Sequence, residues 1–124
     1  MTFAIKLGER LLADQPDHPD KLWIHALLAA AYGQKFRYLK AQKANEDALK
    51  ETRDIALSRA REAAKDSRWK LVLQQLCEPL RFGGMPDDND LDVFAVDPDF
   101  KHYLDFDPLR NSVLVSLCNF QSSY

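Results

Sequence analysis

Three groups of residues have types and spacing that invite chemistry. Lys35, Arg37, Lys40 and Lys43 follow one another without an intervening acid, and Phe36 and Tyr38 lie among them. Cationic groups beside aromatic faces can clamp a carboxylate-bearing peptide or stack along a nucleic-acid strand. At the end of a helix the same cations complement the negative pole of the dipole, which is the simpler reading. Asp88, Asp90, Asp92 and Asp99 match positions one, three, five and twelve of a calcium loop. Position six, which requires glycine, is Val93, and position twelve holds aspartate in place of glutamate. The aspartates therefore read as helix caps and a solvated acidic face. The third group is Cys77, Cys118, His18, His25 and His102. No histidine has a second His or Cys three to five residues away, so zinc-ligand spacing is absent. A Cys–His nucleophile pair would have to assemble from distant segments, His102 beside Cys77 for example. Gly83-Gly84 precedes Met85-Pro86, with neither a lysine nor a helix cap, so it is a turn and not a phosphate loop. The expectation is a chain without catalytic, cofactor-binding or metal-binding residues.

Composition bounds the alternatives. The 124 residues make one domain, 46% apolar and 29% charged. A net charge of −2 gives the molecule no general attraction to nucleic acid or to an acidic membrane. The first dozen residues include Lys6, Glu9 and Arg10, so no signal-peptide core is present. The run from Leu22 to Tyr32 is too short to span a bilayer. Two widely separated cysteines without metal spacing read as reduced thiols, and the expected location is cytoplasmic.

These side chains must be positioned by helices. Between Gly33 and Pro79 there is no glycine or proline, and Ala, Lys, Glu, Leu and Arg dominate. A compact domain has no room for one helix of that length, so the chain must fold back. The predicted elements are Phe3 to Ala13, Lys21 to about Lys43, Glu46 to Lys65, and Arg68 to about Cys77. Asp20, Asn45 and Asp66-Ser67 supply N-caps. The basic end of the second helix abuts the acidic Asn45-Glu46-Asp47, which places the reversal between Lys43 and Glu46. On the second helix Ile24, Leu28, Tyr32, Phe36 and Leu39 form the core stripe, widened by Trp23, Leu27 and Ala30. Asp90 to Ala95 and Pro98 to Leu104 are short helices, the latter capped by Asp97 with Pro98 at its first position. Phe94, Phe100, Tyr103, Leu104 and Phe106 would anchor them. The fold class is all-α, antiparallel helical hairpins with short C-terminal helices. Residues 1–110 form the domain and 111–124 an uncharged tail, loosely docked or disordered.

Leu28, Ala29, Tyr32, Tyr38, Ala41, Ala48 and Leu49 fall at the large and small positions of tetratricopeptide (TPR) repeats. Ala4, Leu11, Leu12 and Pro16 are similar to the second helix and closing proline of a preceding repeat. The run from Ile55 to Ala63 resembles another second helix, and Asp90 to Phe100 the closing segment of a bacterial TPR array. A regular repeat would turn at Gly33 to Phe36, ten residues before the reversal that the charges indicate; a hairpin with lengthened helices is the preferred reading. The resemblance implies a protein-protein interaction scaffold that holds a peptide or helix, or caps an array, and not an enzyme. A small enzyme with a site assembled from distant residues is the alternative. The residues expected to meet a partner are Trp23, Lys35, Arg37, Tyr38 and Lys40. The partner would be a protein or peptide, a second copy, or further repeats of a larger chain, with no nucleic acid or membrane. Because the first helix would lack its own repeat partner, Phe3, Leu7 and Leu11 are expected to be partly exposed or covered by another chain.

Overall fold

The structure is a computed structural model that describes residues 2–77 and 91–105. Four helices come first, α1 Thr2–Asp14, α2 Lys21–Ala41, α3 Glu46–Ala63 and α4 Ser67–Cys77. A 3-10 turn, Asp92–Phe94, and α5, Pro98–Leu104, follow, and no strand occurs among the described residues. None of the helices described is long and apolar enough to cross a membrane.

The reversal between α2 and α3 falls where the charges place it. The α2 helix runs unbroken through Gly33 to Ala41, so the regular repeat register, with its turn at Gly33 to Phe36, does not describe this hairpin. Lys43 adopts the left-handed conformation, with φ of 56°. Its amide donates to the Lys40 carbonyl at 3.1 Å and that of Ala44 to the Leu39 carbonyl at 2.9 Å. This is a Schellman ending, with lysine where glycine is usual. Asn45 then starts α3, its Oδ1 accepting from the Ala48 amide at 2.8 Å. Asp66 Oδ1 accepts from the Arg68 amide at 2.8 Å, and Asp97 Oδ1 from the Asp99 amide at 2.9 Å. Asp20 differs. It occupies the cap position of α2 but makes no side-chain cap; its own amide donates to His18 Nδ1 at 3.0 Å.

Small residues bring α2 and α3 together. Ala26, Ala29 and Ala30 are buried on α2, and Ala56, Ala60 and Ala63 on α3, where alanine permits close approach of the two backbones. Ile24, Leu28, Leu57 and Leu73 fill the space around them. Trp23 and Leu27 do not widen the core: they are 48% and 42% exposed. The helix pattern defines an apolar arc, but only the packing of neighbours decides which edge of it is covered.

The C-terminal segment is fastened by aromatics and ions. Phe36 of α2 meets Phe94 at 4.9 Å between ring centroids, and Phe94 stacks on Phe100 of α5 at 4.3 Å. Arg53 of α3 donates Nε and Nη2 to the two oxygens of Asp97 at 2.9 and 2.8 Å and also reaches Asp99. Phe100 and Leu104 are buried, as an anchoring role requires, whereas Tyr103 stays 41% exposed beneath the Arg61 guanidinium. Phe106 and the uncharged tail lie outside the described residues.

Candidate functional site

Three helices share one open face, and polar contacts on their far sides define it. Glu9 of α1 and His25 of α2 both reach Arg59 of α3. A helix turns about 100° per residue, so two positions along is nearly the opposite side. Leu7 lies two residues from Glu9, and Trp23 and Leu27 lie two residues either side of His25. All three are therefore directed away from α3. On α4, Lys70 pairs with Asp105, and Gln74 donates to the Leu104 carbonyl at the end of α5. Val72 lies two residues from each, so it too is directed away from the α3–α5 layer, and it is 37% exposed. Gly8 of α1 packs against Leu28 of α2, which sets Leu7 beside Leu27.

The result is an apolar face made by α1, α2 and α4. Phe3 is 78% and Leu7 48% exposed, as expected for an unpaired first helix. Leu11, further along α1, is half-buried against the core. Along α2 the stripe continues from Trp23 and Leu27 to Gln34 and Tyr38, all within an arc of about 60° and over about 22 Å. A shallow cavity of about 430 Å³, lined by Gln34, Arg37, Tyr38 and Ala41, marks its far end.

Beneath this face sits a polar cluster that no sequence motif announces. Tyr32 Oη donates to Glu9 Oε1 at 3.1 Å, and Arg59 holds Glu9 Oε2. Arg59 Nη1 lies 3.3 Å from His25 Nδ1, which can accept only if that nitrogen is unprotonated. Burial pushes the imidazole below its ordinary value, and the Arg59 charge adds to the effect. Burial together with the Glu9 carboxylate pushes the Tyr32 hydroxyl up to about 12. The cluster ties α1 to the α2–α3 hairpin, so it orients the helix that carries Phe3 and Leu7. Its bonded partners lie 23 to 50 residues apart, beyond the reach of any local pattern.

The structure divides the five residues expected to meet a partner. Trp23 and Tyr38 lie on the open stripe of α2. Lys35 is half-buried, its Nζ 5.9 Å from the centre of the Tyr32 ring. Arg37 is not a clamp for a ligand: it forms an ion pair with Asp92 that ties α2 to the C-terminal segment. Lys40 is exposed but lies around the helix from Tyr38, by about 160°. The basic cluster therefore does not form a single binding face. Leu7, expected to be partly exposed, and Leu27 belong to the open face; Leu27 carries no signal beyond its place on an apolar arc.

The other candidate chemistries are also located. Cys77 is buried, and burial pushes its thiol up to about 12, opposite to the activation a nucleophile needs. His102 is exposed and packs edge-on against Tyr103. Of the calcium-like aspartates, Asp92 and Asp99 are engaged by Arg37 and Arg53, while Asp88 and Asp90 lie outside the described residues, as do Cys118 and Gly83-Gly84. Among the described residues no three His, Cys, Asp or Glu side chains converge on a metal position. A second open cavity, about 650 Å³, runs along α3 past Asp47, Lys50, Glu51, Asp54, Ile55 and Ser58 to Arg59, which it shares with the polar cluster. In comparison with known proteins, the chain matches no family model, no curated protein and no solved structure.

Proposed function

We propose that the chain is a protein-interaction module resembling a TPR hairpin with lengthened helices, and that the face of α1, α2 and α4 holds its partner. The observation that carries this reading is the exposure of Phe3, Leu7, Trp23 and Leu27 side by side on two packed helices. Single exposed apolar residues are ordinary, but a contiguous group directed away from the core is the usual mark of an interaction surface. From their exposures these four side chains present on the order of 400 Å². Standard protein interfaces bury about 800 Å² per partner. That total counts polar as well as apolar surface, so the patch can seat a single peptide or helix without further apolar area.

A displayed library of helix-forming peptides tests the reading. Selection on the full chain, with counter-selection on the L27K variant, is expected to enrich sequences with apolar residues at i, i+4 and i+7. Recovery of the same peptides on both proteins would remove the α2 face from the proposal.

A further inference from the structure

The polar cluster beneath the open face also fastens α1, and one of its members is the side chain that changes charge near neutral pH. Among the described residues of α1 only Gly8 is fully buried, while Ile5, Leu11 and Leu12 are half-buried against the core. Packing therefore holds this helix lightly, and its polar attachment matters the more. Glu9 makes that attachment. One of its carboxylate oxygens accepts from the Tyr32 hydroxyl of α2 and the other from Arg59 of α3. Arg59 is shared: its Nη2 holds Glu9, and its Nη1 lies 3.3 Å from His25 Nδ1, a hydrogen bond that exists only while that nitrogen is unprotonated.

A proton on Nδ1 would set two N–H groups and two positive charges against each other. The guanidinium is a rigid plane, so Nη1 cannot turn from His25 without disturbing Nη2 on Glu9. The surroundings of the imidazole favour its charged form only weakly. Arg59 from α3 and Lys21 from its own helix oppose the charge, and Glu62 from α3 and Glu9 from α1 support it. Both carboxylates are already engaged, Glu62 by Lys65 at 2.8 Å and Glu9 by Tyr32 and Arg59. Burial and Arg59 prevail, and the imidazole is depressed while α1 is docked. Undocking α1 takes Glu9 away and frees Arg59 to extend into solvent.

Resting on the binding role proposed above, we infer that Glu9, Arg59 and His25 form a proton-operated latch on the open face. With His25 neutral, α1 is docked and Leu7 stands beside Leu27. With His25 charged, α1 loosens and the face loses Phe3 and Leu7. Undocking is linked to one proton, so the open fraction rises by at most about tenfold per pH unit, starting below about 6.5.

Amide hydrogen exchange of the full chain, followed from about pH 7.5 to about pH 5 and corrected for the intrinsic rate, tests the latch. Residues of α1 are expected to exchange faster than those of α2 and α3, and to lose up to about tenfold in protection per pH unit below about 6.5. Glutamine can accept from Arg59 but takes up no proton, so in H25Q this loss should vanish. H25R, a fixed cation, should leave α1 poorly protected at every pH. Protection in α1 that does not change with pH, or that falls in H25Q as in the wild-type chain, would overturn the latch. Equal protection in α1 and in the α2–α3 hairpin would show that His25 acts on the whole fold, and would overturn it too. An uncharged peptide of about 18 residues with leucine at i, i+4 and i+7 then reads the face by fluorescence anisotropy. Its affinity should fall in acid in step with α1 protection, and should not change with pH in H25Q, whose substituted side chain points away from the face. Binding that does not weaken in acid would detach the latch from the face and overturn the inference. Absence of binding at neutral pH would overturn the binding role itself, while the exchange measurement still decides the latch.

Discussion

Replacing Gly8 with alanine tests whether α1 is docked on α2 as described. A methyl built at Gly8 would lie 2.8 Å from Leu28 Cδ2, 3.0 Å from Cγ and 3.4 Å from Cδ1. The first distance is shorter than real side chains show, so Leu28 must move. Leu28 has no exposed surface, so moving its side chain displaces close-packed core neighbours. Overpacking of this kind costs about 1–3 kcal/mol. Against it stands the gain from replacing glycine within a helix, about 1 kcal/mol. The net expectation for G8A is a loss of about 1 kcal/mol in urea denaturation followed by circular dichroism. L28A alone should cost about 2–5 kcal/mol through the cavity it leaves. In the L28A background the clash is gone, so G8A should then stabilise by about 1 kcal/mol. That change of sign is the signature of the contact, and a double-mutant cycle isolates it. Stabilisation by G8A in the otherwise unchanged chain would mean that α1 does not pack at Leu28. The face carrying Phe3 and Leu7 would then have to be rebuilt.

Three further outcomes follow from the structure. Because the imidazole of His25 is depressed in the folded chain, the unfolded chain binds a proton first as pH falls below about 6.5. Stability should be full above that value and decline through the acid range towards the folded pKa; H25Q should flatten this part of the stability–pH curve, and an unchanged slope would contradict the assignment. Lys43 holds a left-handed φ at the Schellman position, so K43G should raise stability by about 0.5–1 kcal/mol in the same denaturation assay, and a loss would show that the turn is elsewhere. In a C118S background, the buried Cys77 thiol should react with a disulfide reagent only at the rate of unfolding, and prompt reaction in buffer would contradict its burial.

The helices were largely legible because their ends are written locally. Asn45 with Glu46 and Asp47 marks the start of α3, and Asp97-Pro98 marks the start of α5; both caps form within four residues of chain. The charge boundary at Lys43 likewise reads out a local event, the meeting of two dipoles. The candidate site was legible only in part, because it depends on what packs against what. Trp23 and Tyr38, expected to meet a partner, are exposed on α2, but Leu27 read as core because the apolar arc of α2 continues into it. Arg37 read as a ligand clamp because its true partner, Asp92, is remote in sequence. The Glu9–Arg59–His25–Tyr32 cluster left little trace, since each bonded pair in it is made by tertiary packing between helices. A carboxylate on the flank of an apolar stripe, as Glu9 is on α1, is the one sequence feature that hints at such a buried partner.

The central claim is that partners bind the α1–α2–α4 face, and two-dimensional NMR of the full chain titrated with a helix-forming peptide carrying apolar residues at i, i+4 and i+7 tests it most directly. The account predicts shifts at the Trp23 indole N–H, the Leu7 and Leu27 methyls and the Tyr38 ring, with Ile55 on α3 unmoved. Shifts centred instead on Glu51, Asp54 and Ile55 would place binding in the cavity along α3 and contradict the account.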